Sequence, residues 1–156
     1  MPNMSNKLSS ENERRFVEGV AAILTPWGVP SVAAQLYGYL LLCGPPASLD
    51  QITVALGISK STASVAARLL ESSTLVRRQR EAGTKRALYA AADNYEAMIA
   101  QQNRLLDALA RQLESGVGIV TSQDAGVRLN EMAHFYRLMR KAMDDTLDRW
   151  EQAKRL

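Results

Sequence analysis

The stretch SLDQITVALGISKSTASVAARLLESSTLVRRQREAGTKRALYAA, residues 48–91, decides how the chain is read. Ser48 stands three residues before Gln51, the spacing of a capping box: the Ser48 hydroxyl accepts the Gln51 backbone N–H and the Gln51 side chain reaches back. A short helix over 49–56 follows. Gly57 closes it where a tight turn calls for positive φ. Ser59 is placed to cap a second helix running to about Ser72. Two short strands, 75–80 and 85–90, then flank Glu81-Ala82-Gly83-Thr84 and predict a β-hairpin.

Helix, glycine turn, helix and basic hairpin make the plan of a winged helix-turn-helix. Ile52, Leu56, Ile58, Ala63, Ala67, Leu70, Leu75 and Val76 can form one small core. Ala63, Ala67 and Leu70 share a helix face, and the two alanines permit a close crossing with the preceding helix. The opposite face carries Lys60, Ser61, Thr62, Ser64 and Arg68. At a helix N-terminus such groups can reach base edges or phosphates in a major groove. Ser59 is read as a cap before it is read as a contact. The hairpin adds Arg77, Arg78, Arg80, Lys85 and Arg86, suited to phosphates or a minor groove. Glu71 is expected to pair with one of these arginines.

The charge distribution agrees. The whole chain carries only +3. Residues 59–86 hold seven cations against Glu71 and Glu81, a net +5, and the remainder is −2. Positive charge gathered into one segment is what a polyanion-binding surface needs.

Outward from this unit the pattern is helical. Ser9 or Ser10 is placed to cap a helix whose apolar stripe is Phe16, Val20, Ile23, Leu24 and Trp27, ended by Trp27-Gly28-Val29-Pro30. A second helix after Pro30 turns Val32, Leu36, Tyr37, Leu40 and Leu41 inward. Beyond Asp93, Tyr95, Met98, Ile99, Leu105, Leu106, Leu109 and Leu113 mark a long amphipathic helix, which Ser115-Gly116-Val117-Gly118 is expected to break. The last helix starts at Ser122 or Asp124. Its heptad-like seam of Met132, Tyr136, Met139, Met143, Thr146 and Trp150 is a dimer-interface pattern, to which Phe16 is added. The expected division is an N-terminal tail over 1–12, scaffold helices over 13–47, the winged unit over 48–91 and a dimerisation region over 92–156. The fold class is mainly α with a small β-hairpin wing.

Several functions are disfavoured. Cys43 is the only cysteine, so no internal disulfide exists and a reducing cytoplasm is the expected compartment. Its apolar surroundings predict low reactivity. No stretch reads as a signal peptide or a membrane span. One His and one Cys cannot make a conventional metal cluster, and His134 is read as a packing or hydrogen-bonding residue. Asp144, Asp145 and Asp148 read as a solvated face. There is no phosphate loop, nucleophile elbow or acid–base constellation, so neither an enzyme nor a cofactor is expected.

Leu56-Gly57-Ile58-Ser59-Lys60-Ser61-Thr62-Ala63-Ser64, with Leu69-Leu70-Glu71 and Leu75-Val76-Arg77-Arg78, resembles the recognition unit of MarR-type regulators. The Trp27-Gly28-Val29-Pro30 step is similar to the GbsR-like branch. The resemblance implies a homodimeric transcriptional regulator, most often a repressor. Each winged unit would read one half-site of a pseudo-palindromic double-stranded operator, with relief by a small effector. Trp27, Tyr37, Tyr95 and Tyr136 are the candidate aromatic lining for such an effector, against a plain reading as core. The sequence departs from the family at the wing, which commonly sets an aspartate two residues before the tip arginine; here that position is Thr84. The alternative function is a winged module that binds protein.

Overall fold

The computed structural model describes residues 10–155. Most of the expected N-terminal tail, and Ser9 as a cap, lie outside the described residues. The chain divides into two compact units, Met1–Asp93 and Asn94–Leu156. The scaffold helices share the first unit with the winged helix.

In the first unit, α1 (Glu11–Leu24) is capped by Ser10, whose hydroxyl accepts the Glu13 N–H at 3.1 Å. A 3-10 turn, Thr25–Trp27, ends at Gly28 with φ 94°. Helix α2 (Ser31–Leu42) crosses α1 at Gly38, where a Cβ would stand 3.1 Å from the Val17 Cα. The buried side of α1 is therefore Val17 and Ala21, and that of α2 is Ala33, Ala34, Leu36, Tyr39 and Leu40. This corrects the expected stripes: Phe16, Ile23, Trp27 and Leu41 are exposed. A close helix crossing selects small residues, so the bulky neighbours are turned out.

Strand β1 (Ala47–Ser48) leads directly into α3 (Leu49–Leu56), then α4 (Lys60–Ser72), β2 (Val76–Arg80) and β3 (Ala87–Ala91). The capping box at Ser48 and Gln51 is formed in both directions, at 3.2 and 2.9 Å. Gly57 has φ 65°, as the turn requires. The sheet is antiparallel in the order β1-β3-β2, with Tyr89 between Ala47 and Arg78. The third strand was absent from the sequence reading. Two residues are too short to show alternation, and Ser48 serves both the strand and the helix cap. Ile52, Ala63, Ala67, Leu70 and Val76 are buried in one core with Leu36, Leu40 and Tyr89, and Leu56, Ile58 and Leu75 pack against it.

The second unit is a helical hairpin of α5 (Tyr95–Val117) and α6 (Gln123–Lys154), capped by Asn94 and Ser122. Helix α5 runs through Ser115 and Gly116 and ends at Val117, with Gly118 as its C-cap, inside the expected break. Gly116 allows close approach, since a Cβ there would meet Leu129 Cδ1 at 3.0 Å. The hairpin buries Leu106, Ala110 and Ala133. Polar links tie it together: Arg137 to Glu114 at 2.8 and 2.9 Å, Arg140 to Asp107 at 2.9 Å, and Arg140 to Asp144, which also accepts from Asn103 at 3.0 Å. Asp144 is thus a partner in a network and not merely a solvated charge, while Asp145 meets only Lys141. His134 is exposed, and among the described residues it makes no hydrogen bond, so it is not the packing residue expected. No helix of the described residues is long and apolar enough to cross a membrane.

Candidate nucleic-acid interface

The first unit presents helix α4 and the β2–β3 wing side by side. Buried Ala63, Ala66, Ala67 and Leu70 fix the orientation of α4, so Ser61, Val65, Arg68 and Ser72 lie one above another on its outward face. Lys60 and Ser64 flank that face on one side, Thr62 and Leu69 on the other.

The N-terminus of α4 is organised by hydroxyls. Ser59 Oγ accepts the Thr62 N–H at 3.1 Å, donates to Thr62 Oγ1 at 2.8 Å and lies 3.2 Å from Ser61 Oγ. Ser59 is therefore a cap whose side chain is already engaged.

Strand alternation sorts the wing cations. Val76 is buried, and Arg78 and Arg80 follow it on the same face. With Lys85, Arg86 and Glu71 they line a cleft of about 450 Å³. Arg77 points the other way, 3.7 Å from Asp93. Lys60 lies 3.5 Å from Asp50, and Arg86 lies 3.6 Å from Glu81. Among the described residues Arg68, Arg78, Arg80 and Lys85 have no carboxylate within ion-pair distance. Glu71 lines the cleft without pairing with a wing arginine, contrary to expectation.

Two residues were missed. Glu81 supplies the acid that the wing tip lacks in sequence: the loop closes by Glu81 N–H to Arg86 O at 2.9 Å, with Gly83 at φ 77°, so residues five apart face each other. Val65 sits in the centre of the outward face and is 68% exposed. Its spacing from Ser61 and Arg68 is the available signal, but the outward face was read from its polar and basic residues alone.

The candidate aromatics fall into both units. Trp27 is 85% exposed and Tyr37 half-buried in the first, whereas in the second Tyr95 packs edge-on to Trp150 at 5.1 Å and Tyr136 meets Phe135 at 5.9 Å. Cys43 is half-buried. Burial pushes its thiol pKa up, against a hydrogen bond with Tyr39 that lowers it. The thiolate needed for oxidant sensing is thereby disfavoured. Among the described residues no cluster of His, Cys, Asp or Glu could hold a metal.

A recognition helix beside a basic wing defines a winged helix-turn-helix of the kind transcriptional regulators carry. Residues 93–153 match the family model of the MmpR5-like MarR family transcriptional regulator. A solved structure of a transcriptional regulator is similar to this chain with a TM-score of 0.81 and 25% identity, covering 90% of this chain and 99% of that one. The transcriptional regulator Tm0710 from Thermotoga maritima gives 0.43 at 14% identity, covering 85% and 92%. The transcriptional regulator SlyA gives 0.39 at 17%, covering 85% and 89%. No curated protein matches. Residues 93–153 are thus similar to MarR-family transcriptional regulators, and the chain is similar over most of its length to a solved transcriptional regulator.

Proposed function

We propose that the chain is a cytoplasmic, sequence-specific double-stranded-DNA-binding regulator that acts as a homodimeric repressor and is relieved by a small effector. The observation that carries the reading is a set of four cations without an ion-pair partner among the described residues, Arg68 on α4 and Arg78, Arg80 and Lys85 on the wing, beside a helix N-terminus ringed by Ser61, Thr62 and Ser64. Unpaired guanidinium and ammonium groups can neutralise phosphates without first giving up a carboxylate. The helix N-terminus enters the major groove, and the wing follows the backbone. Exposed apolar side chains on α6, among them Phe135 and Leu138, supply a surface for the second copy. The Trp27-Gly28-Val29-Pro30 step favours the GbsR-like branch, and exposed Trp27 is the aromatic most open to an effector.

The test is selection of bound fragments from random DNA by the full chain, followed by gel shift. Recovery of a palindrome whose half-sites lie about one helical turn apart is the expected result. No retained DNA at low salt, with the protein folded, overturns the reading.

A further inference from the structure

On the DNA-binding reading just given, we propose that Val65 determines specificity by contacting the 5-methyl group of a thymine in the major groove. Helix α4 turns Ser61, Val65, Arg68 and Ser72 outward, and Val65 is the single apolar member of that row. Its neighbours in the folded unit leave most of it uncovered. Its side chain is 68% exposed, and a β-branched residue at an exposed helix position is a poorer helix former than alanine. Its neighbours fix its place. Ser61, one turn before, and Arg68, one turn after, are groups that meet base edges or phosphates, so Val65 stands over the base pairs between them. In the major groove the thymine methyl is the apolar feature that a valine can meet.

The surroundings of Val65 favour such a contact. Val65, Ala66 and Leu69 form one wall of an apolar groove of about 300 Å³, faced by Val32 and Ala33 of α2 and by Pro30 just before it, with Ser61 and Thr62 at its rim. A methyl group laid against Val65 at the edge of this groove loses water on more than one side. Burial of one methyl corresponds to about fourfold in affinity.

The experiment uses the full chain and an operator obtained by selection. Each thymine is replaced in turn by deoxyuridine, which lacks only the methyl group, and binding is measured with the wild type and with Val65→Ala. The wild type should lose about fourfold per half-site at one thymine. Val65→Ala should be indifferent to that replacement and keep the wild-type response at every other position. Its circular dichroism should stay unchanged, and its affinity for random DNA should fall less than its affinity for the operator. Equal deoxyuridine penalties in the two proteins, or no penalty at any thymine, overturn the assignment of Val65 while DNA binding stands; Val65 then belongs to a docking strip for another protein. If the wild type selects no DNA, the DNA reading and this assignment fall together.

Discussion

Arg86 Nε lies 3.6 Å from Glu81 Oε2 across the wing loop, while Thr84 Oγ1 accepts the Arg86 backbone N–H at 3.1 Å. The acid that holds the tip cation thus comes from the end of the opposite strand. Exposed pairs of this kind contribute about 0.2–1 kcal/mol, so Glu81→Gln leaves stability nearly unchanged. It removes a negative charge from the wing and releases Arg86. Affinity for random duplex should rise about two- to fivefold, and preference for the operator should fall. Titrations with both duplexes measure this. Unchanged preference places Arg86 outside the contact.

Arg78 and Ser64 separate positioning from reading. Arg78 faces the basic cleft and has no carboxylate partner among the described residues, so it is assigned to phosphate. Arg78→Ala should weaken operator and random DNA alike and reduce the salt slope by about one per protomer. Ser64→Ala should cost the operator more than random DNA and leave the slope unchanged. Binding isotherms over about 50–200 mM salt decide. Equal slopes for both variants and the wild type remove the division.

How far the sequence revealed this arrangement depends on whether each signal was local. The Ser48–Gln51 box, Gly57 and the alanine face of α4 are local, and all stand where the spacing put them. The orientation of α1 was not readable. Its burial is set by Gly38 on another helix, which draws Val17 inward and leaves Phe16 and Trp27 outside. The Glu81–Arg86 pair was likewise hidden, because a fixed sequence offset cannot show which residues a loop brings face to face. Val65 was hidden because the outward face was read from its polar and basic residues alone.

Thr74 and Gly57 make opposite predictions from the same backbone region. Thr74 follows α4 with φ 61°, unusual for a β-branched residue, and Gly57 follows α3 with φ 65°. A left-handed conformation costs a non-glycine residue about 1–2 kcal/mol. Thr74→Gly should therefore stabilise by up to about 1 kcal/mol, after the added freedom of the unfolded chain is counted. Gly57→Ala should destabilise by about 1 kcal/mol, and no neighbouring atom lies within 4 Å of its new Cβ to add a clash. Denaturant midpoints with unchanged m-values report both signs.

Glu114 gives the second unit a pH dependence. The paired hydrogen bonds from Arg137 hold its carboxyl below the usual range; partial desolvation opposes them, and the Arg137 charge adds to the lowering. A depressed carboxylate adds stability above its unfolded-state value of about 4.3. That stability is lost as pH falls through the lower folded-state value. Glu114→Gln should lower Tm at neutral pH, and its difference from the wild type should shrink on acidification below about pH 4. A difference that stays constant with pH removes the ion pair as its cause.

Helix α6 divides the seam expected from its heptads, and the division predicts which substitutions separate the protomers of the proposed dimer. Trp150 packs edge-on against Tyr95 with Lys154 near its ring, so it works within its own unit. Phe135 and Leu138 are 59% and 53% exposed, with Met132 and Met139 beside them. Met132, Phe135 and Met139 lie three, four and seven residues apart and share a face, and Leu138 follows Phe135 by three on its edge. An unpaired carboxylate buried on that face would oppose association strongly. Leu138→Glu and Met139→Glu should sediment as monomers and lose operator affinity far more than random-DNA affinity, because one protomer reads only a half-site. Trp150→Ala should instead lower thermal stability and leave the dimer intact. If Leu138→Glu sediments as the wild type does, the partner surface lies elsewhere, and the exposed Phe16 on α1 becomes the next position to charge.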